Sequence, residues 1–159
     1  MSRLLAPPKH LYRISNLATV EPLARQLASY FPDPEQIVTA IYELLFNAIE
    51  HGNLGIGFAQ KTRLVQNGTW EQEIYRRMKD PFYGGRKAMV TLERTPDYCM
   101  VQITDQGYGF NWKYYLNYDK PDTLPNGRGL YIVRQSGFDE VRFNERGNQV
   151  TCMLYTKAR

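Results

Sequence analysis

The chain has 159 residues, of which 43% are hydrophobic and 23% charged, a length and composition typical of one globular domain and unlike those of a disordered chain. Its formal net charge of +4 comes from basic residues scattered along the chain, which argues against a nucleic-acid-binding protein. No apolar run is long enough to cross a bilayer, residues 1–10 lack the pattern of a secretory signal, and two cysteines are too few for a disulfide scaffold, so we expect a cytoplasmic protein.

The first third of the chain is predicted to form a short strand and two helices. Residues 11–14 fit a strand, and residues 16–30 carry apolar positions at helical spacing with Pro22 in the first turn. A second helix over residues 34–51 begins at Asp33, an N-cap residue that precedes a proline. The side chains predicted to face the core from this helix are Ile37, Ile41, Leu44, Leu45 and Ala48.

The rest of the chain is predicted to hold an inserted segment, two hairpins and a short helix. Residues 58–87 carry Trp70, Ile74 and Met78 at every fourth position, which predicts one amphipathic helix within an insert. Strands are predicted at 88–94, 98–104, 140–144 and 149–156, and a helix at 129–135. Helices first and strands later favour an α+β fold, a two-layer sandwich of a mixed, mainly antiparallel sheet with helices on one face.

The second predicted helix carries the first motif that points to chemistry. Glu43 and Asn47 lie one turn apart, so a carboxylate and an amide oxygen can face the same small volume, with Glu50 on the same stripe. An amide oxygen suits Mg²⁺, and a carboxylate can accept a proton from an attacking hydroxyl. The alternative is a polar helix face that only meets water.

The second motif places an acid and two glycines directly after a predicted strand. Asp105 can accept a hydrogen bond from an exocyclic amine such as that of adenine, and Gly107 and Gly109 allow a ligand to approach the backbone. The spacing is not that of a dinucleotide-binding fingerprint, which excludes that class of fold. An ordinary Asp/Gly turn is the alternative.

The third motif is a glycine pair at the start of a predicted helix. Free backbone N–H groups at Gly127 and Gly129, together with the helix dipole, favour an anion, and Arg128 can reach a terminal phosphate. The chain has no Gly-Lys-Ser/Thr sequence, so this phosphate site is not a P-loop. The alternative is a helix start in which glycines ease the turn.

Together the three motifs resemble, in order and separation, the N, G1 and G2 boxes of the GHKL ATPase superfamily of gyrase, heat-shock chaperone, histidine kinase and mismatch-repair proteins. Within it the chain looks most like the anti-sigma-factor serine/threonine kinases. The similarity runs over residues 10–157 except for the insert at 58–87. It implies one histidine-kinase-like ATPase domain over residues 1–159, with an ATP lid at 111–126.

The resemblance implies roles for individual residues. Glu43 would be the general base, Asn47 the Mg²⁺ ligand and Asp105 the adenine contact. The family often has a threonine in the place of Asn148, which leaves a second adenine contact to this asparagine. The other residues implied to contact ATP are His51, Gly107, Gly109, Phe110, Gly127, Arg128, Gly129 and Leu130.

The resemblance implies a protein kinase that uses ATP and Mg²⁺ to phosphorylate an anti-sigma-factor antagonist, that sequesters a sigma factor, or both; it also makes a homodimer plausible. One alternative is a non-catalytic, ATP-responsive binding module in a partner-switching pathway, and another is an ATPase module that acts with a larger signalling phosphatase. Aromatic and lysine side chains in the lid could stack on single-stranded nucleic acid, but packing of the lid on the domain is the preferred interpretation. We expect no direct contact with nucleic acid or membrane.

Overall fold

The structure is a computed structural model that describes residues 9–116 and 128–156. Five strands form one sheet in the order β1-β2-β3-β5-β4, and all four pairings between them are antiparallel. The strands are β1 (Lys9–Ile14), β2 (Ala88–Arg94), β3 (Tyr98–Thr104), β4 (Glu140–Phe143) and β5 (Gln149–Tyr155). The predicted strands are therefore present, and the parallel component expected of a mixed sheet is not found among these five.

Seven α-helices accompany the sheet in the described ranges. They are α1 (Val20–Ala28), α2 (Pro34–Asn47), α3 (Phe58–Gln66), α4 (Trp70–Lys79), α5 (Pro81–Gly84), α6 (Trp112–Leu116) and α7 (Arg128–Gln135). Asp33 caps α2 as predicted, because its side chain accepts a hydrogen bond from the backbone N–H of Gln36. None of the helices in these ranges has the length and apolarity needed to span a membrane.

The core lies between one face of the sheet and helices α1, α2 and α7. Along β2 and β3 buried and partly exposed residues alternate, so that Val90 and Ile103 are neighbours in the register and Val150 of β5 follows. The other face mixes polar side chains with methionines, and on it Gln102 donates a hydrogen bond of 3.0 Å to Thr151. All five predicted core residues of α2 are buried. The two-layer α+β sandwich with helices on one face is confirmed.

The end of the second helix differs from the sequence prediction. The second helix does not end at His51, since it continues as a π-helical turn, Ala48–Asn53. Gly52 allows this, because a Cβ there would overlap the carboxylate of Asp105, so the turn can lie directly against the end of β3. A π-helical turn of this kind often marks a functional site.

The insert contains three helices, α3 to α5, where the sequence predicted one. The helix at Trp70–Lys79 is the predicted one, and Ile74 is its buried apolar anchor. The additional helix α3 has no fully buried residue and no side-chain cap at Gly57, so neither a strong apolar stripe nor a start signal marks it in the sequence. Lys61 of α3 contacts the ring of Phe46 on α2 and the carboxylate of Glu50.

Candidate functional site

Helix α2 carries Glu43 and Asn47 on the side that faces the start of α7. Helices α2 and α7 approach closely at Gly129, where a Cβ would lie 2.6 Å from Oε2 of Glu43 and 3.4 Å from Nδ2 of Asn47. A Cβ at position 129 would displace the Glu43 carboxylate, so glycine lets the carboxylate and the amide lie against the first turn of α7. Both side chains are half-buried. The geometry brings the first and third sequence motifs together.

Burial sets the ionisation of Glu43. Desolvation raises the pKa of this carboxyl and the nearby Glu50 adds to the rise, while Lys61 of the insert acts in the opposite direction. A carboxylate with a raised pKa is a stronger base at neutral pH than one in water. The site thus holds a partly desolvated base beside a helix N-terminus.

Asp105 follows the last residue of β3 and is held from two directions. Its Oδ1 accepts a hydrogen bond of 2.8 Å from the backbone N–H of Gly107, and its carboxylate lies against Gly52. The side-chain amide of Asn148 donates a hydrogen bond of 3.2 Å to the backbone carbonyl of Asp105. In return, the backbone N–H of Asp105 donates a hydrogen bond of 2.9 Å to the backbone carbonyl of Asn148. Asn148 therefore supports Asp105, with its amide at the same end of the site.

Burial also dominates the electrostatics of Asp105. It raises the pKa of this carboxyl to about 6, against the lowering influence of the Gly107 N–H and the charges of Arg146 and Arg86. An acceptor kept partly desolvated in this way forms a stronger hydrogen bond with a ligand than an acceptor in water does.

Gly109 shapes the loop after Asp105. Its φ is +83°, a left-handed conformation that favours glycine, and a Cβ there would overlap the backbone carbonyl of Arg146. The loop can therefore pack onto the turn between β4 and β5. Phe110 then contacts Phe143 edge-on, with a centroid distance of 5.6 Å. This packing forms one wall of the site.

His51 lies at the π-helical turn, with its ring largely removed from water. Its Nδ1 is hydrogen-bonded to the carbonyl of Ile56, and its ring stacks on Phe58 at a centroid distance of 4.2 Å. Burial lowers the pKa of His51 below its ordinary value of 6.5, an effect that Glu50 opposes. The ring is therefore neutral at pH 7 and presents an apolar face to its surroundings.

These segments line one open cleft. Seven of the predicted site residues line it: Asn47, His51, Asp105, Gly109, Phe110, Leu130 and Asn148. Glu43 and Gly129 lie beside it at the contact between α2 and α7, Gly107 lies behind Asp105, and Arg128 is the exposed first residue of α7. Gly127 and residues 117–126 of the predicted lid lie outside the described residues.

The donor set of the cleft fits a nucleotide with Mg²⁺. The carboxylate of Asp105 and the amide of Asn148 stand at one end, apolar side chains such as Leu44 and Ile103 form the walls, and the amide of Asn47 stands near the start of α7. An acceptor for an amine, an apolar slot for a ring and a helix N-terminus for phosphates are what such a ligand needs. Asn47 offers an oxygen ligand of the type that Mg²⁺ prefers.

Glu50 lies on the same predicted helix face as Glu43 and Asn47. The spacing of these residues alone did not predict its partners in the insert. Glu50 is fully buried, and its carboxylate accepts hydrogen bonds from Nζ of Lys61 at 2.7 Å and from Nε1 of Trp70 at 2.5 Å. Both partners belong to the insert. We call this group the Glu50 anchor, because it fastens α3 and α4 to the end of α2.

Replacing Glu50 by alanine is expected to lower the free energy of unfolding by about 3 to 5 kcal/mol, since the Lys61 ammonium and the Trp70 N–H would lose their buried acceptor. Urea denaturation measures the change. Glu21→Ala is the matched control: Glu21 pairs with Arg25 at 3.0 Å on the surface, and its loss should cost less than about 1 kcal/mol. Equal effects of the two substitutions would contradict the importance of the anchor.

Comparison with known proteins adds one match. The family model described as the histidine kinase-like ATPase domain matches residues 10–154 of the chain. No curated protein matches the chain. The matched range runs from β1 to β5, and it includes the cleft, the start of α7 and the insert.

Proposed function

The chain belongs to the histidine kinase-like ATPase domain family, and from this premise we propose that it is an ATP-dependent serine/threonine protein kinase of the anti-sigma-factor type. Its protein substrate would be a small regulatory partner, the antagonist of an anti-sigma factor, and it would also sequester a sigma factor. The observation that carries the proposal is the common cleft lined by Asn47 and Asp105, with Glu43 at its rim beside Gly129. The proposed metal ligand and the proposed adenine acceptor thus line one cleft, and the proposed general base lies next to the first of them at the start of α7.

In this proposal each part of the ATP molecule has a distinct set of partners. Asp105 accepts a hydrogen bond from the adenine amine, and Asn148 holds Asp105 in place through its backbone. The phosphates lie near the N-terminus of α7, where backbone N–H groups and Arg128 compensate their charge. Gly127, proposed as part of the same turn, lies outside the described residues.

The chain's own residues account for a transfer to a hydroxyl. Glu43 accepts the proton of the attacking serine or threonine hydroxyl, while the γ-phosphoryl passes from the ADP leaving group to that oxygen. Asn47 would hold Mg²⁺ through its side-chain oxygen, and the metal ion would neutralise phosphate charge. Arg128, on the exposed first turn of α7, stabilises the negative charge of the transferred group. The raised pKa of Glu43 supports its role as a base.

The competing function is an ATP-responsive module that binds a regulator without phosphorylating it. Incubation with γ-labelled ATP and candidate antagonist proteins separates the two functions. Label on the antagonist supports the kinase. ATP binding with no label on any antagonist, together with ATP-dependent sigma-factor binding, would replace the kinase by the binding module.

Replacing Asn47 by alanine is expected to weaken the binding of ATP by about 10-fold to 100-fold in the presence of Mg²⁺, because an oxygen ligand of the metal is lost. Without Mg²⁺ the wild-type protein and the variant should bind ATP with similar affinity. Calorimetric titration with ATP, with and without magnesium, measures both values. Asn67→Ala, on the exposed end of α3, is the control that should behave as wild type. Wild-type affinity that does not respond to Mg²⁺ would contradict the role of Asn47.

A further inference from the structure

Phe58, the first residue of α3, lies at the centre of a column of three stacked rings. Its ring stacks on His51 at a centroid distance of 4.2 Å and an interplanar angle of 28°. It also stacks on Tyr115 of α6 at 4.3 Å and 27°. Two rings this close on one face of Phe58 would overlap, so His51 and Tyr115 cover opposite faces of the phenyl ring.

The column joins three parts of the chain that surround the cleft. His51 belongs to the π-helical turn after α2, Phe58 begins the insert, and Tyr115 belongs to α6, at the start of the predicted lid. His51 and Phe58 both line the cleft. Phe110, which also lines it, lies 6.1 Å from Phe58 and 6.0 Å from Tyr115 between ring centroids. His51 and Phe58 of the column therefore form part of the aromatic wall of the cleft, and Tyr115 packs behind Phe58.

Contacts with α2 and the π-helical turn hold the first turn of α3, and therefore Phe58, in place. Lys61, three residues after Phe58 and on the same side of α3, is tied to the buried carboxylate of Glu50 at 2.7 Å. Its ammonium also lies over the ring of Phe46 on α2, 5.2 Å from the centroid. The Glu50 anchor thus fixes the first turn of α3 against α2, and with it the position of the Phe58 ring.

We propose that Phe58 is a positioning residue of the nucleotide site, which holds His51 on one face of its ring and α6 on the other, so that the insert sets the shape of the cleft. The inference rests on the proposed function in so far as the cleft receives ATP. It assigns to the insert a role that is distinct from covering the core. Leucine at this position would keep an apolar side chain but lose both ring stacks, and tyrosine would keep them.

Two measurements on Phe58→Leu test the inference. In the nucleotide-free protein, amide hydrogen exchange in residues 112–116 should become about tenfold faster, because α6 loses the face on which it packs. In calorimetric titration the dissociation constant of Mg·ATP should rise about tenfold, since without the two ring stacks His51 and α6 are no longer held in position at the cleft. Phe58→Tyr, which keeps both ring stacks, should leave the exchange rate and the dissociation constant near their wild-type values. Phe82→Leu is the matched control, since Phe82 lies in the same insert, is 56% exposed and does not line the cleft.

Exchange in α1, which contributes no ring to the column, reports whether each variant keeps its fold. Unchanged exchange in α6 of a folded Phe58→Leu variant would overturn the positioning role, whatever the nucleotide result. Faster exchange in α6 with unchanged ATP affinity would overturn the link to the nucleotide site. If the wild-type protein binds no ATP, the proposed function fails, while the exchange measurement still decides whether Phe58 positions α6.

Discussion

Replacing Glu43 by glutamine is expected to reduce phosphoryl transfer by about 10²-fold to 10⁴-fold, the usual contribution of a general base, while ATP still binds. Glutamine keeps the size and the hydrogen-bonding capacity of the side chain, but its amide cannot accept the proton of an attacking hydroxyl. The Glu43 carboxylate fills the space between α2 and Gly129 of α7, and a shorter side chain would leave that space empty. Glutamine is thus a cleaner test than alanine.

The pH dependence of the reaction should carry the signature of the same group. Burial raises the pKa of Glu43 above the usual value of 4.5, and the base functions only when ionised. Transfer by the wild-type protein should therefore fall as the pH drops through this raised pKa. The residual transfer by Glu43→Gln should lack this acidic limb, because no group at position 43 titrates.

Single-turnover assays with γ-labelled ATP and an antagonist protein measure the rate, and calorimetry measures ATP binding separately. Glu35→Gln, an exposed carboxylate in the first turn of the same helix, is the control that should leave transfer unchanged. Transfer by Glu43→Gln at the wild-type rate would remove Glu43 from the mechanism. Loss of ATP affinity equal to the loss of transfer would assign Glu43 to binding.

The sequence predicted those parts of the fold whose signals are local. Strands β2 and β3 occupy the predicted residues, Ala88–Arg94 and Tyr98–Thr104, because alternating apolar residues and the intervening Thr95-Pro96-Asp97 turn lie within one short stretch. Helix α2 was equally clear at its capped start. Its end was not, because the π-helical turn packs through Gly52 against Asp105, a residue far along the chain.

The same distinction applies to the candidate site. The spacing of Glu43 and Asn47 on one helix predicts that they share a face, and they do. The Glu50 anchor depends on partners 11 and 20 residues away in an insert whose first helix has no sequence signature. The column through Phe58 likewise joins segments that only the tertiary fold brings together. Periodicity cannot reveal contacts of this kind.

Replacing Asp105 by asparagine is expected to stabilise the nucleotide-free protein at pH 8 by about 2 kcal/mol. The pKa of Asp105 is about 6 in the folded protein against 3.8 for the free side chain. A raised pKa contributes stability that is fully present below 3.8 and is lost as the pH rises through 6. At pH 8 the ionised carboxylate therefore opposes folding, and a neutral amide removes that cost. The gain is smaller than the full pKa shift would give, because the carboxylate keeps partial access to water.

The pH dependence of stability separates this explanation from a change in packing. Urea denaturation measures the free energy of unfolding of the wild-type protein and of the variant at each pH. The wild-type value should fall relative to that of the variant between pH 4 and pH 7, as Asp105 ionises around its pKa of about 6. Asp97→Asn, in the turn between β2 and β3, is a matched control for the substitution. A variant that gained the same stability at pH 4 and pH 8 would contradict the electrostatic cause.

Asp105→Asn should also change which nucleobase the cleft prefers. Gly107 N–H already donates to Oδ1 of Asp105, which leaves Oδ2 to accept from an exocyclic amine. In the variant the amide oxygen remains with Gly107, so the NH₂ group faces the amine of adenine and two donors oppose each other. ATP affinity should fall by about 100-fold, whereas inosine triphosphate, which has an oxygen in place of the amine, should bind the variant better than it binds the wild type. Calorimetric titration of both proteins with both nucleotides measures this exchange of preference. Equal losses for the two nucleotides would mean that Asp105 shapes the cleft without reading the base.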